Sequence, residues 1–257
     1  MKRMLLMLLA AAILCGCSAP VPSPATVIIE EATSAQPRSA APAAPPQDGY
    51  SIDELDGVAG QYDPLPMHKT FDEAYAANPH TIGWITIENT AIDYPVLRTA
   101  DNEFYLTHDA EGNDSKYGAI FMDFRNAQPS MQQHIIIYGH NMKNGTMFHD
   151  LVNYKQPDFF EQNRRIYLLW DGMDTEWEIF CAYIVAPDTI YPIQTAFDNE
   201  DDFAVSMNSA IKYAGTVTPS VTDQTITIQP SDQVLSLITC TYEYDDSRYA
   251  VMARRVK

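Results

Sequence analysis

Two apolar runs a hundred residues apart each end on a reactive side chain. His134-Ile-Ile-Ile-Tyr-Gly-His140 closes on an imidazole, Val234-Leu-Ser-Leu-Ile-Thr-Cys240 closes on a thiol, and Arg248 follows the thiol. A nucleophilic thiol needs a base to take its proton, and a carbonyl under attack needs a donor for the oxygen that becomes charged. Imidazole supplies the first. A guanidinium, always charged and with its donors in a fixed fork, supplies the second. The three side chains are the parts of an acyl-transfer site, provided that the fold brings them together.

Each of them also has a plainer reading. A cysteine in an apolar run is ordinarily a buried core thiol, and a lone histidine a satisfied imidazole. Company favours chemistry here. Of the six histidines, His68, His80 and His108 lie in polar or turn-like surroundings, His134 begins a strand and His149 lies on a helix; only His140 ends an apolar run. Gly139 beside it leaves room for close backbone approach. Arg248 opens the last run, Tyr249 to Arg254, so a hairpin would return it beside Cys240; Arg254 and Arg255, near the chain end, read as solvated. Reference pKa values of about 8.5 for Cys and about 6.5 for His leave most of the pair neutral near pH 7. A neighbouring guanidinium would favour thiolate.

The elements that must position these residues are mostly short β-type runs. They are Ile82–Ile87, Ile92–Leu97, Gly118–Asp123, His134–Tyr138, Ile166–Trp170, Trp177–Val185, Thr225–Ile228, Val234–Thr239 and Tyr249–Arg254, separated by turn clusters. Helical patterns cover Phe71–Ala77, stopped at Asn78-Pro79, and the stretches Met147–Tyr154 and Asp202–Tyr213; acids at Asp198–Asp202 suit a helix N-terminus. The pattern predicts a mainly β fold, a closed or nearly closed barrel with helices as decoration. Cys181 sits inside a strand and reads as a buried thiol, so a Cys181–Cys240 disulfide is the lesser option. There is no Cys-x-x-Cys, no His-Glu-x-x-His and no phosphate loop, so neither metal nor cofactor is expected. Asp109-Ala-Glu-Gly-Asn-Asp114 does not fit a calcium loop and reads as a turn.

Residues 1–16 have a signal-peptide pattern: Lys2 and Arg3, then an apolar stretch from Met4 to Leu14 too short to span a bilayer as a helix. The junction Leu14-Cys-Gly-Cys17 resembles a bacterial lipobox, which implies a lipid on Cys17 and a domain held by it on the extracellular face of the membrane. Residues 17–48, rich in Pro, Ala and Ser, are expected to be a disordered tether, and residues 49–257 one domain. The whole chain carries 16 basic and 34 acidic residues; without residues 1–16 the balance is 14 against 34, or −20. That charge argues against nucleic acid and against anionic lipid headgroups as partners.

Tyr138-Gly-His-Asn-Met142 with Gly145-Thr-Met-Phe148, Thr239-Cys-Thr-Tyr-Glu243 and Asp245-Asp-Ser-Arg-Tyr249 resemble a sortase of class B. Gly83-Trp-Ile85, Ile92-Asp-Tyr-Pro95, Phe104-Tyr-Leu106 with His108-Asp109, and Gly118-Ala-Ile-Phe121 with Asp123 continue the resemblance, which covers about residues 75–256. It implies an eight-stranded barrel with N-terminal helices and an extra helix, for which Asp202–Tyr213 fits, before the cysteine strand. It also implies a cysteine transpeptidase. Cys240 would attack a carbonyl in the C-terminal sorting signal of a secreted protein, and an amine of peptidoglycan or a pilin lysine would resolve the thioester. His140 would move the proton, while Arg248 and the backbone near Thr239 would hold the oxyanion. Tyr138, Asn141, Thr239 and Glu243 would line the peptide. Two other functions use similar parts: a cysteine hydrolase of wall peptides, with water as acceptor, and a lipoprotein that binds peptide without reacting. Papain-like hydrolases place Cys before His, the reverse of the order here.

Overall fold

The computed structural model describes residues 71–126, 132–170, 172–186, 189–240 and 247–257. The signal-like segment, Cys17, the tether and Glu243 lie outside the described residues.

Helix α1 (Phe71–Ala77) ends as Asn78-Pro79 predicts, and the Asn78 amide then ties the turn to the Tyr105 hydroxyl at 2.9 Å. Nine strands follow among the described residues: β1 (Thr81–Thr86), β2 (Asp93–Leu97), β3 (Phe121–Met122), β4 (His134–Tyr138), β5 (Arg165–Trp170), β6 (Met173–Val185), β7 (Ser220–Thr222), β8 (Val234–Cys240) and β9 (Arg248–Arg255). Eight pair in the ring β5–β1–β2–β3–β4–β8–β9–β6, which closes from β6 back to β5. The thirteen residues of β6 make closure possible. Its first half pairs with β5, most of its length pairs with β9, and β7 attaches outside the ring over Cys181–Tyr183.

Strand alternation divides the apolar residues into two clusters. Ile85, Val96, Ile135, Ile137, Leu168, Trp177, Leu235, Leu237 and Val251 belong to the first, which draws on strands all round the ring and fills the barrel. A 3-10 segment, His149–Lys155, adds Leu151 and Tyr154 to it. Ile136, Tyr138, Ile238, Ala250 and Met252, from the other face of β4, β8 and β9, form the second, against which helix α3 (Glu200–Ala214) packs Phe203, Met207, Ala210 and Ile211. Asn199 caps α3 by accepting from the Asp202 N–H at 2.9 Å, and three acids fill its first turn, the dipole role expected of them.

Several elements differ from the sequence expectation. Thr225–Ile228 is not a strand. Ile226 and Ile228 are buried, but the Asn208 side chain satisfies both backbone groups of Ile228, so no strand partner is needed. The ninth strand is instead the short Ser220–Thr222. The expected helix over Met147–Tyr154 is a 3-10 segment, followed by α2 (Pro157–Gln162), whose N-terminal proline suits a first helical turn. Gly118–Asp123 pairs as a strand only at Phe121–Met122; Gly118, at a positive φ of 59°, and Ala119 spend their N–H groups on the Ser115 and Tyr105 carbonyls.

Candidate active site

Register places the three candidate residues in one row. β4 runs parallel to β8, from His134 opposite Val234 to Tyr138 opposite Ile238. The ladder extends one residue further, the Gly139 N–H donating to the Ile238 carbonyl at 3.1 Å, which brings His140 level with Cys240 on the next strand. β8 and β9 are antiparallel, and their last pair is Cys240 opposite Arg248. Neighbouring strands lie about 4.8 Å apart, so these residues occupy consecutive positions across β4, β8 and β9 at one end of the pair that carries the cysteine. The opposite neighbour of Arg248 is Val185, the last residue of β6.

His140 is half-buried and clamped. Its Nε2 lies 2.7 Å from the Leu106 carbonyl oxygen; a carbonyl only accepts, so Nε2 carries a hydrogen and Nδ1 remains the nitrogen able to exchange a proton. Nδ1 is committed to no described residue. The 3-10 turn Phe104–Leu106 that supplies the carbonyl is fixed by Phe104 stacking on His108 at 3.9 Å, and by the Ala119 N–H donating to the Tyr105 carbonyl at 2.9 Å. Gly118 packs against the ring itself. A Cβ there would sit 2.8 Å from Cδ2 of His140 and 2.5 Å from the Tyr105 carbonyl oxygen. Burial lowers the His140 pKa from its ordinary value, and the Leu106 carbonyl partly opposes that shift. The imidazole is therefore mostly neutral at pH 7 and ready to accept a proton.

The residues expected along the peptide are placed differently from one another. Tyr138 is buried and its hydroxyl donates to Asp123 Oδ2 at 2.8 Å; burial and the Asp123 charge raise its pKa well above the ordinary phenol value, with the Arg248 charge acting the other way. Asn141 is buried, its carbonyl oxygen 2.9 Å from His149 Nδ1. Thr239 is 2 % exposed, and its hydroxyl has no partner among the described residues. Cys181 is a free thiol with no exposure, its pKa pushed well up by burial. The Asp109 segment is the expected turn: Asp109 accepts from the N–H groups of Glu111 and Asn113. Arg254 pairs with Glu178 at 3.0 Å, away from the row.

Sequence reasoning gave no role to Leu106, Gly118, Asp123, Arg125 or His134. A backbone carbonyl such as that of Leu106 leaves no mark in a sequence. Gly118 and Asp123 were visible as part of the resembling Gly118–Asp123 stretch, without a role, and His134 as a polar residue at a strand start.

A sortase domain model matches residues 85–256, and the chain belongs to the sortase family, the transpeptidases of the cell wall. Within it the chain is a class B sortase. It is 33 % identical to sortase B of Listeria monocytogenes over 181 residues, 70 % of this chain and 71 % of that protein. The Clostridium perfringens sortase B structure superposes with a TM-score of 0.66 at 32 % identity, covering 73 % of this chain and 100 % of that one. A Staphylococcus aureus sortase B–substrate complex gives 0.64 at 29 %, over 73 % and 84 %.

Proposed function

We propose that this protein cleaves a C-terminal sorting signal of secreted proteins through a thioester on Cys240 and transfers them to an amine of peptidoglycan. The observation that supports this most is the His140–Cys240–Arg248 row across β4, β8 and β9. The Cys240 thiol gives its proton to His140 Nδ1 as sulfur attacks the scissile carbonyl. Arg248 donates to the oxygen as it becomes negative. Collapse of the tetrahedral intermediate breaks the C–N bond, and the leaving amine takes the proton from His140. The incoming amine reverses these steps, giving its proton to His140 as the thiolate leaves. Tyr138 and Asn141 act beneath the peptide rather than on it, since both are buried and bonded within the protein.

The test is mass spectrometry of the protein mixed with the substrate that the S. aureus relative binds in its complex, with a diamino-acid stem peptide or a lysine peptide as acceptor. Transfer to the stem-peptide amine supports wall anchoring, and transfer to the lysine peptide alone supports pilin-type assembly. Cleavage without transfer identifies a hydrolase, and no change a binding protein. The sequence from Met4 to Cys17 further supports a diacylglyceryl anchor at Cys17 on the extracellular face of the membrane. Cys17→Ala should abolish lipid labelling; intact N-terminal residues in membrane-extracted protein would point to an uncleaved anchor instead.

A further inference from the structure

The chain between β6 and α3 leaves β6 at Val185, opposite Arg248, and is described again from Thr189 to the α3 cap at Asn199. Tyr191, Ile193 and Phe197 lay apolar side chains on the outer cluster that contains Tyr138 and Ile238, while Ile190 stands 58 % exposed. This connection is held from below by two polar side chains. Arg125 donates from Nη2 to the Ile193 carbonyl at 3.1 Å, and His134 donates from Nδ1 to the Gln194 carbonyl at 2.6 Å.

Both anchors are themselves fixed. Asp123, with no exposure, grips Arg125 in a fork, Nε to Oδ1 at 2.8 Å and Nη2 to Oδ2 at 2.6 Å, and accepts the Tyr138 hydroxyl on the same Oδ2. His134, 1 % exposed, uses its second nitrogen to accept from the Ser236 hydroxyl at 2.8 Å. A buried ion pair contributes little net stability against an apolar replacement, so its value lies in the geometry it imposes. Here it joins the strand that ends beside His140 to the segment that begins beside Arg248.

We propose that Asp123, Arg125 and His134 are positioning residues that hold residues 189–194, in the connection that follows the strand ending opposite Arg248, as one bank of the peptide groove. Their loss loosens that bank and weakens capture of substrate, while the reactivity of Cys240 is kept. The inference rests on reading the site as a peptide transpeptidase, and the experiment separates the two. Two variants of the full chain are compared with the parent: His134→Gln, which cuts one anchor, and the neutral double change Asp123→Asn with Arg125→Gln, which cuts the other without stranding a charge. Three quantities are measured: amide hydrogen exchange across residues 189–198, alkylation of Cys240 by iodoacetamide, and kcat and KM with the substrate of the S. aureus relative.

Exchange in the connection should rise about tenfold and KM about tenfold in each variant, with kcat and alkylation unchanged within about twofold. Unchanged exchange, or a fall in kcat at constant KM, overturns the proposal. A lowered melting temperature with unchanged KM also overturns it, since that is the mark of a structural role alone. If the double variant does not fold, His134→Gln decides through the same three readings. A parent that neither cleaves nor transfers sinks the transpeptidase reading, and the exchange rates then judge the anchors without it.

Discussion

The two ends of the β4–β8 pair each hold a histidine, His134 opening β4 and His140 two residues past its end, and they are treated in opposite ways. At the start, His134 spends both ring nitrogens, on the Gln194 carbonyl and the Ser236 hydroxyl, and is sealed from solvent. At the end, His140 spends one nitrogen on the Leu106 carbonyl, stays half-buried, and comes level with Cys240. Desolvation lowers both pKa values, to about 4 for His134. At the first end the ring reaches the Ser236 hydroxyl, two residues along β8 from its register partner Val234; at the other end Cys240 is the residue level with His140. Under the proposed mechanism, what separates the two roles is the count of committed nitrogens. A histidine with one nitrogen fixed has its tautomer and orientation set and the other nitrogen available.

The largest test of that contrast removes the thiol. Cys240→Ala should abolish thioester formation with the fold intact, whereas Cys181→Ala should keep most activity, because the Cys181 thiol is sealed and held protonated by burial. Trapping with a radiolabelled or mass-tagged substrate reads both, and an essential, alkylated Cys181 would end the site assignment. Next comes the donor. Arg248→Ala should lower kcat about 100- to 1000-fold, or about 2.7–4 kcal/mol, and Arg248→Lys should recover only part, because charge returns without the fork. An unchanged kcat at saturating substrate with a raised KM would make Arg248 a binding residue. Arg254→Ala, which removes only a pairing with Glu178, is the control.

The clamp on His140 can be broken without substituting any residue of the row. At Gly118 an added Cβ would meet Cδ2 of His140 at 2.8 Å and the Leu106 carbonyl oxygen at 3.0 Å, in a backbone with φ of 59°. Gly118→Ala must therefore push the ring off its carbonyl, and a displacement near 1 Å costs on the order of 100-fold in rate. The strained φ adds about 1 kcal/mol of destabilisation. If kcat stays at the parent value while the melting temperature falls, the Leu106–Gly118 clamp is packing and nothing more.

How much of this was legible without coordinates follows from what leaves a periodic mark. Strands β4, β8 and β9 were readable almost to the residue, because apolar runs bounded by turns announce buried strands; Cys240 ends β8, Arg248 opens β9 and His140 lies two residues past β4. Ring closure was readable only as a class of fold. It depends on β6 pairing with both β5 and β9, and pairing partners are not a local property. Thr225–Ile228 misled because burial of Ile226 and Ile228 mimics a strand, while a single asparagine, Asn208, replaces the ladder. The His140 clamp and the Asp123–Arg125 anchor escaped for a related reason. They are made by backbone carbonyls and by side chains that meet across Ile193, Leu106 and Tyr138, far apart in the chain.

The contrast between the histidines is sharpened most finely by acid. The folded His134 pKa, about 4, lies below the unfolded value near 6.5, so between those limits the unfolded chain binds the extra proton. Its contribution to stability is complete above about pH 6.5 and is lost as pH falls toward 4, amounting to about 2 kcal/mol by pH 5. Asp123, whose folded pKa lies below the ordinary carboxylate value, loses its share at lower pH still, so the two windows are separable. His134→Gln removes the titration, its amide reaching the Nε2 position beside the Ser236 hydroxyl and leaving the Gln194 carbonyl without its donor. Denaturant unfolding of parent and variant at pH 7 and pH 5 should show the parent losing about 2 kcal/mol more than the variant across that interval. Equal losses would mean that His134 takes up its proton without unfolding. It would then resemble His140 in the one respect that is meant to divide them.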